Sequence, residues 1–360
     1  MSDKKLVAIV LVASLLFVVV LTAIRLRNSA STDKRNNFTA RTWHEHTFDG
    51  LGFVQDIESA PGGTTFATFD HFGICRTTDG GLTWKNVTNG LKPASLCIGF
   101  GTGRTVFVGG GRGIYRSADN GDHWEPLDKG LESAAVEKIA HDMDGNVVAS
   151  WCRTDEKYHV SRLDEEGRCW QQVRTPWANK RVVRIFPPIG RRQYVVTSQG
   201  VYLATGGWSK WKHVLQLPKD DYIRSSAISK EGRVAFVVTE YGDQDGHRMD
   251  YVFESSADGM KWSEEKFSAK SGTFGMHNIN PHCVGWTSDG KLLAGANSGL
   301  YERAPDNRSW NLTNARTMLL LLTAIPPWVS AISTDRVGRI YLASLDHILV
   351  SDPETVKKEH

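Results

Sequence analysis

Thr77-Thr78-Asp79-Gly80-Gly81-Leu82-Thr83-Trp84 returns as Ser117-Ala118-Asp119-Asn120-Gly121-Asp122-His123-Trp124, so the chain repeats the phrase Ser/Thr-x-Asp-x-Gly-x-x-Trp. Asp and Ser/Thr side chains accept hydrogen bonds from nearby backbone N–H groups, and Gly allows the positive φ that a tight turn requires. The Trp then begins a strand and buries its ring beneath the turn. Each copy therefore predicts a self-contained turn, which we call the Asp turn.

Weaker copies of the phrase follow along the chain. They end at Trp170, Trp211, Trp262 and Trp310. We assign structural roles to the residues that carry the clearer copies: Thr78, Asp79, Gly81, Trp84, Ser117, Asp119, Gly121, Trp124, Asp164, Trp170, Ser256, Asp258 and Trp262. Because a turn accounts for these residue types, we assign no catalytic residue, metal ligand or cofactor to them.

The spacing of the six Trp residues predicts the architecture. Successive intervals run from 40 to 51 residues, and each interval holds four short β-rich runs bounded by Gly or Pro. In the first repeat the runs are Gly52–Ser59, Thr64–Phe69, Gly73–Thr77 and Leu82–Val87. Four strands in about 40 to 50 residues is the repeat of a β-propeller blade.

A seventh blade lacks its outer strand in the linear order. Three strands follow the sixth repeat, around residues 328–332, 339–343 and 347–351, whereas residues 41–46 precede the first repeat without a partner. Pairing the two ends removes two exposed sheet edges. We therefore predict an all-β fold over residues 41–352, a seven-bladed β-propeller of four-stranded antiparallel blades. An N-terminal strand closes its ring.

The repeated phrase resembles the Asp-box, which is also called the bacterial neuraminidase repeat. It occurs in sialidases, sortilin-type receptors, some glucan hydrolases and photosystem II assembly-factor propellers. The resemblance covers about residues 41–352 and implies the fold, but no activity, since these relatives include enzymes and pure binders. A sialidase needs three arginines, a Tyr–Glu pair and an Asp. The first repeat lacks the family's Arg-Ile-Pro phrase, and Glu240 and Tyr241 are strand neighbours that point to opposite faces, so that site does not transfer.

An apolar run near the N-terminus predicts a membrane anchor. Leu6–Ile24 contains 19 uncharged, mostly aliphatic residues, which as a helix would reach about 28 Å, close to the hydrocarbon thickness. We expect an N-terminal tail over residues 1–5, a transmembrane helix over 6–24, a linker over 25–40 and a C-terminal tail over 353–360. A cleaved signal peptide is the alternative reading of the apolar run.

Two observations predict opposite orientations of such an anchor in the membrane. Basic residues are more frequent after the run than before it, which favours a cytoplasmic propeller. Large domains translocate largely regardless of charge, and the resembling propellers are mostly secreted or luminal. We therefore expect a single-pass membrane protein with its propeller on the periplasmic or extracellular side.

Candidate binding residues fall in three groups. The densest basic cluster contains Lys180, Arg181, Arg184, Arg191 and Arg192, and it is either a patch for an anion or a protein partner or a solvated strand and turn. The predicted inner strands bring further polar residues to the central channel: Gln55, Asp56, Glu58, Glu137, Lys138, His141, Arg184 and Arg224. The apolar segment 318–328, with Leu319, Leu321 and Trp328, is either a strand buried between blades or an exposed contact for a partner or the bilayer.

Net charge and cysteine content exclude some classes of function but identify none. A net charge of +3 is too small to indicate a nucleic-acid partner. Of the five cysteines, Cys152 and Cys169 are the best candidates for a disulfide, with five reduced thiols as the alternative. We predict a membrane-anchored, non-enzymatic propeller that acts as a protein-binding or assembly scaffold. The alternative is a glycan-binding or glycoside-hydrolase, sialidase-like propeller.

Overall fold

The structure is a computed structural model that describes part of the chain. The described residues are 41–48, 50–70, 73–91, 97–111, 113–131, 134–153, 157–218, 222–241, 248–266, 280–297, 299–305, 307, 309–313, 315 and 329–353. The predicted anchor and linker, the C-terminal tail beyond residue 353, and Leu319, Leu321 and Trp328 lie outside these ranges. Within them, no helix has the length and apolar character needed to cross a membrane.

Seven four-stranded antiparallel sheets make up the described part of the chain. The chain enters through β1 (Trp43–Thr47). Blade 1 contains β2 (Val54–Ser59), β3 (Thr65–Phe69), β4 (Gly73–Thr77) and β5 (Lys85–Asn86), and blade 2 contains β6 (Cys97–Phe100), β7 (Val106–Gly110), β8 (Gly113–Ser117) and β9 (Glu125–Pro126). Blade 3 contains β10 (Ala135–His141), β11 (Val147–Cys152), β12 (Tyr158–Leu163) and β13 (Trp170–Val173).

The remaining blades follow in chain order. Blade 4 contains β14 (Val182–Ile185), β15 (Gln193–Thr197), β16 (Gly200–Ala204) and β17 (Trp211–Gln216), and blade 5 contains β18 (Tyr222–Ile228), β19 (Val234–Tyr241), β20 (Arg248–Ser255) and β21 (Trp262–Lys266). Blade 6 contains β22 (Pro281–Trp286), β23 (Leu292–Ala296), β24 (Gly299–Arg303) and β25 (Asn311–Leu312), and blade 7 contains β26 (Ala331–Thr334), β27 (Ile340–Ser344) and β28 (His347–Ser351). The seven-bladed all-β fold is confirmed.

The N-terminal strand closes the ring, as predicted. β1 pairs antiparallel with β28, from Trp43 opposite Ser351 to Thr47 opposite His347. Side chains reinforce the pairing, because His44 Nε2 lies 2.9 Å from Asp352 Oδ1 and His347 Nδ1 lies 2.8 Å from Glu45 Oε1. Blade 7 is therefore built from both ends of the described chain.

Strand direction gives the ring two different faces. Every inner strand begins at the same face, which we call the upper face. The turn between the third and fourth strand of each blade lies at the opposite face, which we call the Asp-turn face. Because β1 runs as a fourth strand, the chain enters the ring at the Asp-turn face.

The Asp turn has the hydrogen bonds that the phrase predicts, with one correction. The Gly81 N–H donates to Thr77 Oγ1 (2.8 Å), the Thr77 hydroxyl donates to Asp79 Oδ1 (2.8 Å), and the same oxygen accepts from the Thr83 N–H (2.9 Å). The hydroxyl of the turn thus belongs to Thr77 and not to Thr78. Strand alternation buries the Thr77 side chain and leaves Thr78 exposed.

The second copy repeats this geometry closely. The Gly121 N–H donates to Ser117 Oγ (2.7 Å), and Asp119 Oδ1 accepts from the Ser117 hydroxyl (2.8 Å) and the His123 N–H (2.9 Å). In the first copy, desolvation opposes ionisation of Asp79, but the hydrogen bonds from Thr83 and Thr77 outweigh it and lower the pKa of Asp79 to about 2. The carboxylates of the phrase are therefore structural acceptors.

Neighbouring blades are joined at these turns by Trp and Arg. Trp124 Nε1 donates to Val87 O of blade 1 (2.7 Å), and Trp170 Nε1 donates to Leu127 O of blade 2 (2.8 Å). Arg76 Nη2 reaches Asp122 Oδ1 in the next turn (2.9 Å). In both full copies an Arg immediately precedes the hydroxyl residue, a sequence signal for blade-to-blade contact that our reading of the phrase missed.

Two Trp residues at equivalent positions give a matched test of this contact. We expect Trp124→Phe to lower the free energy of unfolding by about 0.5–1.5 kcal/mol more than Trp84→Phe. Both rings are half-buried, but the buried Nε1 of Trp84 has no partner among the described residues, so only Trp124 loses a hydrogen bond. Urea unfolding followed by far-ultraviolet circular dichroism measures the difference. Equal losses in the two variants would contradict the assignment.

The predicted disulfide is wrong. None of the five cysteines forms a disulfide. Cys152 pairs with Tyr158 at one end of β12, whereas Cys169 precedes Trp170, which pairs with Leu163 at the other end. The two thiols lie at opposite ends of the blade with β12 between their strands, so no disulfide joins them.

Candidate functional site

The inner strands share an irregularity near the upper face. In five of the seven, one extra residue forms a β-bulge; these residues are Gln55, Glu137, Val183, Arg224 and His282. A bulge re-aims side chains and breaks the two-residue alternation of a strand. The buried apolar residues consequently lie three apart, as at Val54 and Ile57 or at Val136 and Ile139. This spacing was the available sequence signal for the bulges.

The inner strands enclose a central channel with a cavity of about 740 Å³. Gln55, Asp56, Glu58, Glu137, Lys138, Arg184 and Arg224 line it, as the sequence predicted. His141 does not, because it lies at the Asp-turn end of β10, past the lining residues. Blades 5 and 7 also contribute small hydroxylated residues to the lining, namely Ser225, Ser226, Ser330, Ser333 and Thr334.

Charged side chains link consecutive blades around the upper mouth of the channel. Arg181 Nε donates to Glu137 Oε1 of blade 3 (3.2 Å), and Arg181 Nη1 donates to Tyr222 Oη of blade 5 (3.2 Å). Arg224 Nη1 donates to His282 Nδ1 of blade 6 (3.1 Å), and Arg224 Nε donates to Thr239 Oγ1 (2.7 Å). We call Glu137, Arg181, Tyr222, Arg224 and His282 the rim. It spans blades 3 to 6.

A second charge cluster lies deeper in the channel. Arg184 of blade 4 forms an ion pair with Glu58 of blade 1, which lies across the ring. Burial by itself disfavours the charged form of Arg184, but Glu58 outweighs this effect and raises the pKa of the guanidinium. Burial, followed by the nearby Glu58, raises the pKa of Asp56. The cluster therefore braces two blades that share no sheet.

The residues of the predicted basic cluster lie at two separate places in the structure. Arg181 and Arg184 enter the channel, where Arg224 joins them from the next blade. Arg191 and Arg192 lie on the turn between β14 and β15, at the Asp-turn face, where Arg192 Nη1 donates to Ala257 O of the blade 5 turn. Strand direction explains the separation, because Arg181 precedes β14 and Arg184 lies within it, whereas Arg191 and Arg192 follow it at the face toward which the strand runs.

The segment with Leu319, Leu321 and Trp328 lies outside the described residues. Its described neighbours follow β25 and precede β26, at the upper face. Both interpretations of the segment, a strand buried between blades and an exposed contact, therefore stay predictions. Sequence reasoning also missed Tyr222 and His282 as rim residues, although Tyr222 directly follows the charged residues Lys219, Asp220 and Asp221, a signal that was available.

The channel carboxylates are matched by cations. Glu58 is paired with Arg184, and Glu137 with Arg181. Asp56 faces the charges of Lys138 and Arg184. Hydrolysis of a glycosidic bond needs two carboxyl groups that flank an open substrate site. Among the described residues, no group of three or more His, Cys, Asp or Glu side chains is arranged to hold a metal ion.

Comparisons with known proteins support the propeller fold. No protein-family model and no curated protein matches the chain. The structure of YCF48 bound to a D1 peptide is similar over 87% of this chain and 97% of that chain, with 15% identity and a TM-score of 0.62. A streptogramin B lyase is similar over 89% and 100%, with 12% identity and a TM-score of 0.64.

A third solved structure belongs to a larger enzyme. The GH74 xyloglucanase from Xanthomonas campestris is similar over 84% of this chain, with 17% identity and a TM-score of 0.61, and this chain spans about half of it, 52%. The three similar structures include a peptide-binding protein and two enzymes of different classes. At these identities the likeness establishes the propeller fold alone.

Proposed function

We propose that this chain is a non-enzymatic, membrane-anchored propeller that binds a protein partner at the upper mouth of its channel, as an assembly or scaffold factor does. The rim is the observation that carries the proposal. Two arginines and an exposed tyrosine converge there from consecutive blades, and contacts with neighbouring blades hold them in place.

Arg and Tyr are the residue types that this role needs. They are enriched among the residues that dominate protein–protein binding energy, because each combines a large contact area with directed hydrogen bonds. Tyr222 is 43% exposed, and the side chain of Arg181 is 41% exposed, so both present surface to a partner. Guanidinium groups already positioned by Glu137 and Thr239 lose little conformational freedom on binding.

The alternative, a glycan-binding or glycoside-hydrolase propeller, has weaker support. The raised pKa of Asp56 would suit a general acid, but Glu58 and Glu137 are each paired with an arginine, which disfavours either as its catalytic partner in an open site. The likeness to YCF48, solved with a peptide, favours a peptide segment as the ligand. Because the chain is also similar to a xyloglucanase, glycans are included as ligands in the experiment. The membrane anchor at residues 6–24 and a non-cytoplasmic propeller remain part of the proposal.

Site-specific photo-crosslinking tests the proposed surface. Benzoylphenylalanine would replace Tyr222 in the full-length chain, expressed in its native membranes. We expect one dominant protein adduct, and we expect Arg181→Ala in the same chain to reduce its yield by about tenfold or more, as loss of an interface anchor does. The matched control places the photo-reactive residue at Arg191, on the opposite face, where we expect no such adduct.

Two results would overturn the proposal. One is an adduct at position 191 equal to that at 222, and the other is a full yield in the Arg181→Ala chain. Hydrolysis of β-glucan or sialoside substrates by the purified protein, abolished by Glu58→Gln, would instead establish the glycosidase alternative.

A further inference from the structure

Large exposed apolar side chains are few in the described part of the chain, and they divide between the two faces. Phe53 and Tyr222 lie at the upper face, where β2 and β18 begin. Leu82, Met260 and Val337 lie at the Asp-turn face and are 66%, 45% and 46% exposed. Tyr222 belongs to the rim, whereas the three residues of the Asp-turn face belong to no site described above.

Two of these three residues lie on adjoining turns. Leu82 is in the Asp turn of blade 1, and Val337 is in the turn between the first two strands of blade 7. The blade 7 turn packs against blade 1, because a Cβ placed on Gly80 would come within 2.6 Å of Arg339 Cζ. Met260 belongs to blade 5, farther around the ring.

Hydrogen bonds fix the backbone of both turns. The side chains of Leu82 and Val337 therefore point away from the blades in a fixed direction. Asp335 Oδ1 accepts from the Val337 N–H (3.0 Å) and the Arg339 N–H (3.0 Å). Asp79 plays the same part beside Leu82 through the Thr83 N–H and hydroxyl. Each turn therefore presents one apolar side chain away from the blade cores.

The chain enters the ring at this same edge. The Asp352 N–H donates to Thr42 O (3.0 Å), so blade 7 receives the chain at the Asp-turn face. The 41 residues before Thr42 include the apolar run 6–24 and a linker over 25–40. A random coil of 16 residues has an end-to-end distance of roughly 20–24 Å, which is the reach that the predicted linker would allow the predicted anchor.

We propose that the blade 7–blade 1 edge of the Asp-turn face lies against the lipid bilayer, with Leu82 and Val337 entering the interface between headgroups and acyl chains. Exposed apolar tips on a fixed surface are the chemistry that a bilayer interface accepts. The exposed Arg336 stands beside Val337, suited to phosphate oxygens. The inference rests on the proposed anchor, and it leaves the rim facing away from the membrane.

Fluorescence of the full-length protein in vesicles of phosphatidylcholine and phosphatidylglycerol tests the contact. Leu82→Cys, Val337→Cys and Met260→Cys would each carry the environment-sensitive NBD label, in a chain with Cys152→Ser and Cys169→Ser. The remaining cysteines are buried. We expect at least a twofold rise in emission at positions 82 and 337, with quenching by doxyl-labelled lipids. Position 260 is the matched control on the same face, and it should show neither effect.

Flotation of the same vesicles shows whether the protein binds the membrane at all. It therefore tests the proposed anchor independently of the inferred contact at positions 82 and 337. If the full-length chain does not float with lipid, the proposed anchor is wrong. If it floats but positions 82 and 337 are no more quenched than position 260, the anchor stands and the inferred contact is overturned. Circular dichroism of each labelled protein verifies that the propeller is intact.

Discussion

Replacing Glu254 with Gln should lower the free energy of unfolding by about 3–5 kcal/mol, the largest effect that we expect from a single isosteric change. Glu254 in β20 is only 7% exposed, and its two oxygens accept from Arg233 at the start of β19 and from Arg303 at the end of β24. The side chain of Arg303 is 8% exposed. Gln keeps the volume but removes the buried negative charge that both guanidinium groups share, and Arg303 retains only the weaker pair with the more exposed Glu265 among the ion pairs described. Guanidinium chloride unfolding followed by circular dichroism measures the loss.

Glu265 supplies the matched control for this prediction. Its carboxylate lies 3.7 Å from Arg303 Nη1 and is 30% exposed, so solvent screens the pair. We expect Glu265→Gln to lower the free energy of unfolding by less than about 1 kcal/mol. Comparable losses for Glu254→Gln and Glu265→Gln would show that the junction of blades 5 and 6 does not depend on the buried charge.

The second large effect concerns the ion pair that crosses the channel. We expect Arg184→Met to lower the free energy of unfolding by about 2–3 kcal/mol, less than for a fully buried pair because the two side chains are 29% and 17% exposed. Glu58 loses its cation, and Asp56, whose pKa is already raised by burial and by Glu58, loses a nearby positive charge. Met fills much of the space of the Arg stem, so the charge dominates the change.

A double-mutant cycle isolates the pair itself. Combining Arg184→Met with Glu58→Gln removes both charges, and we expect the double variant to recover at least about 1 kcal/mol relative to the sum of the single losses. Thermal and urea unfolding of the four proteins give the coupling energy. Strict additivity would mean that the two side chains stabilise their own blades and do not brace the ring.

Strand alternation limited what the sequence could say about individual side chains. The aligned copies put Thr77 opposite Ser117, but we assigned the hydroxyl of the turn to Thr78; the structure shows that Thr77 points inward at the end of β4 and makes the hydrogen bond. The disulfide prediction failed similarly, because membership of one blade says nothing about which end of a strand a thiol occupies. Register is a property of pairing, and pairing is set by neighbours far away in the chain.

The sequence by itself determined the ring: the repeated Asp turns, four strands per repeat and a free N-terminal strand required seven blades and their closure. Those features depend on local turn chemistry and on alternating apolar residues, both of which a sequence displays. Only the tertiary structure decided the rim, because its five residues come from four blades, and three of them, Glu137, Arg224 and His282, are re-aimed by bulges. It also separated Arg181 from Arg191, since a strand of a few residues carries the chain from one face of the ring to the other.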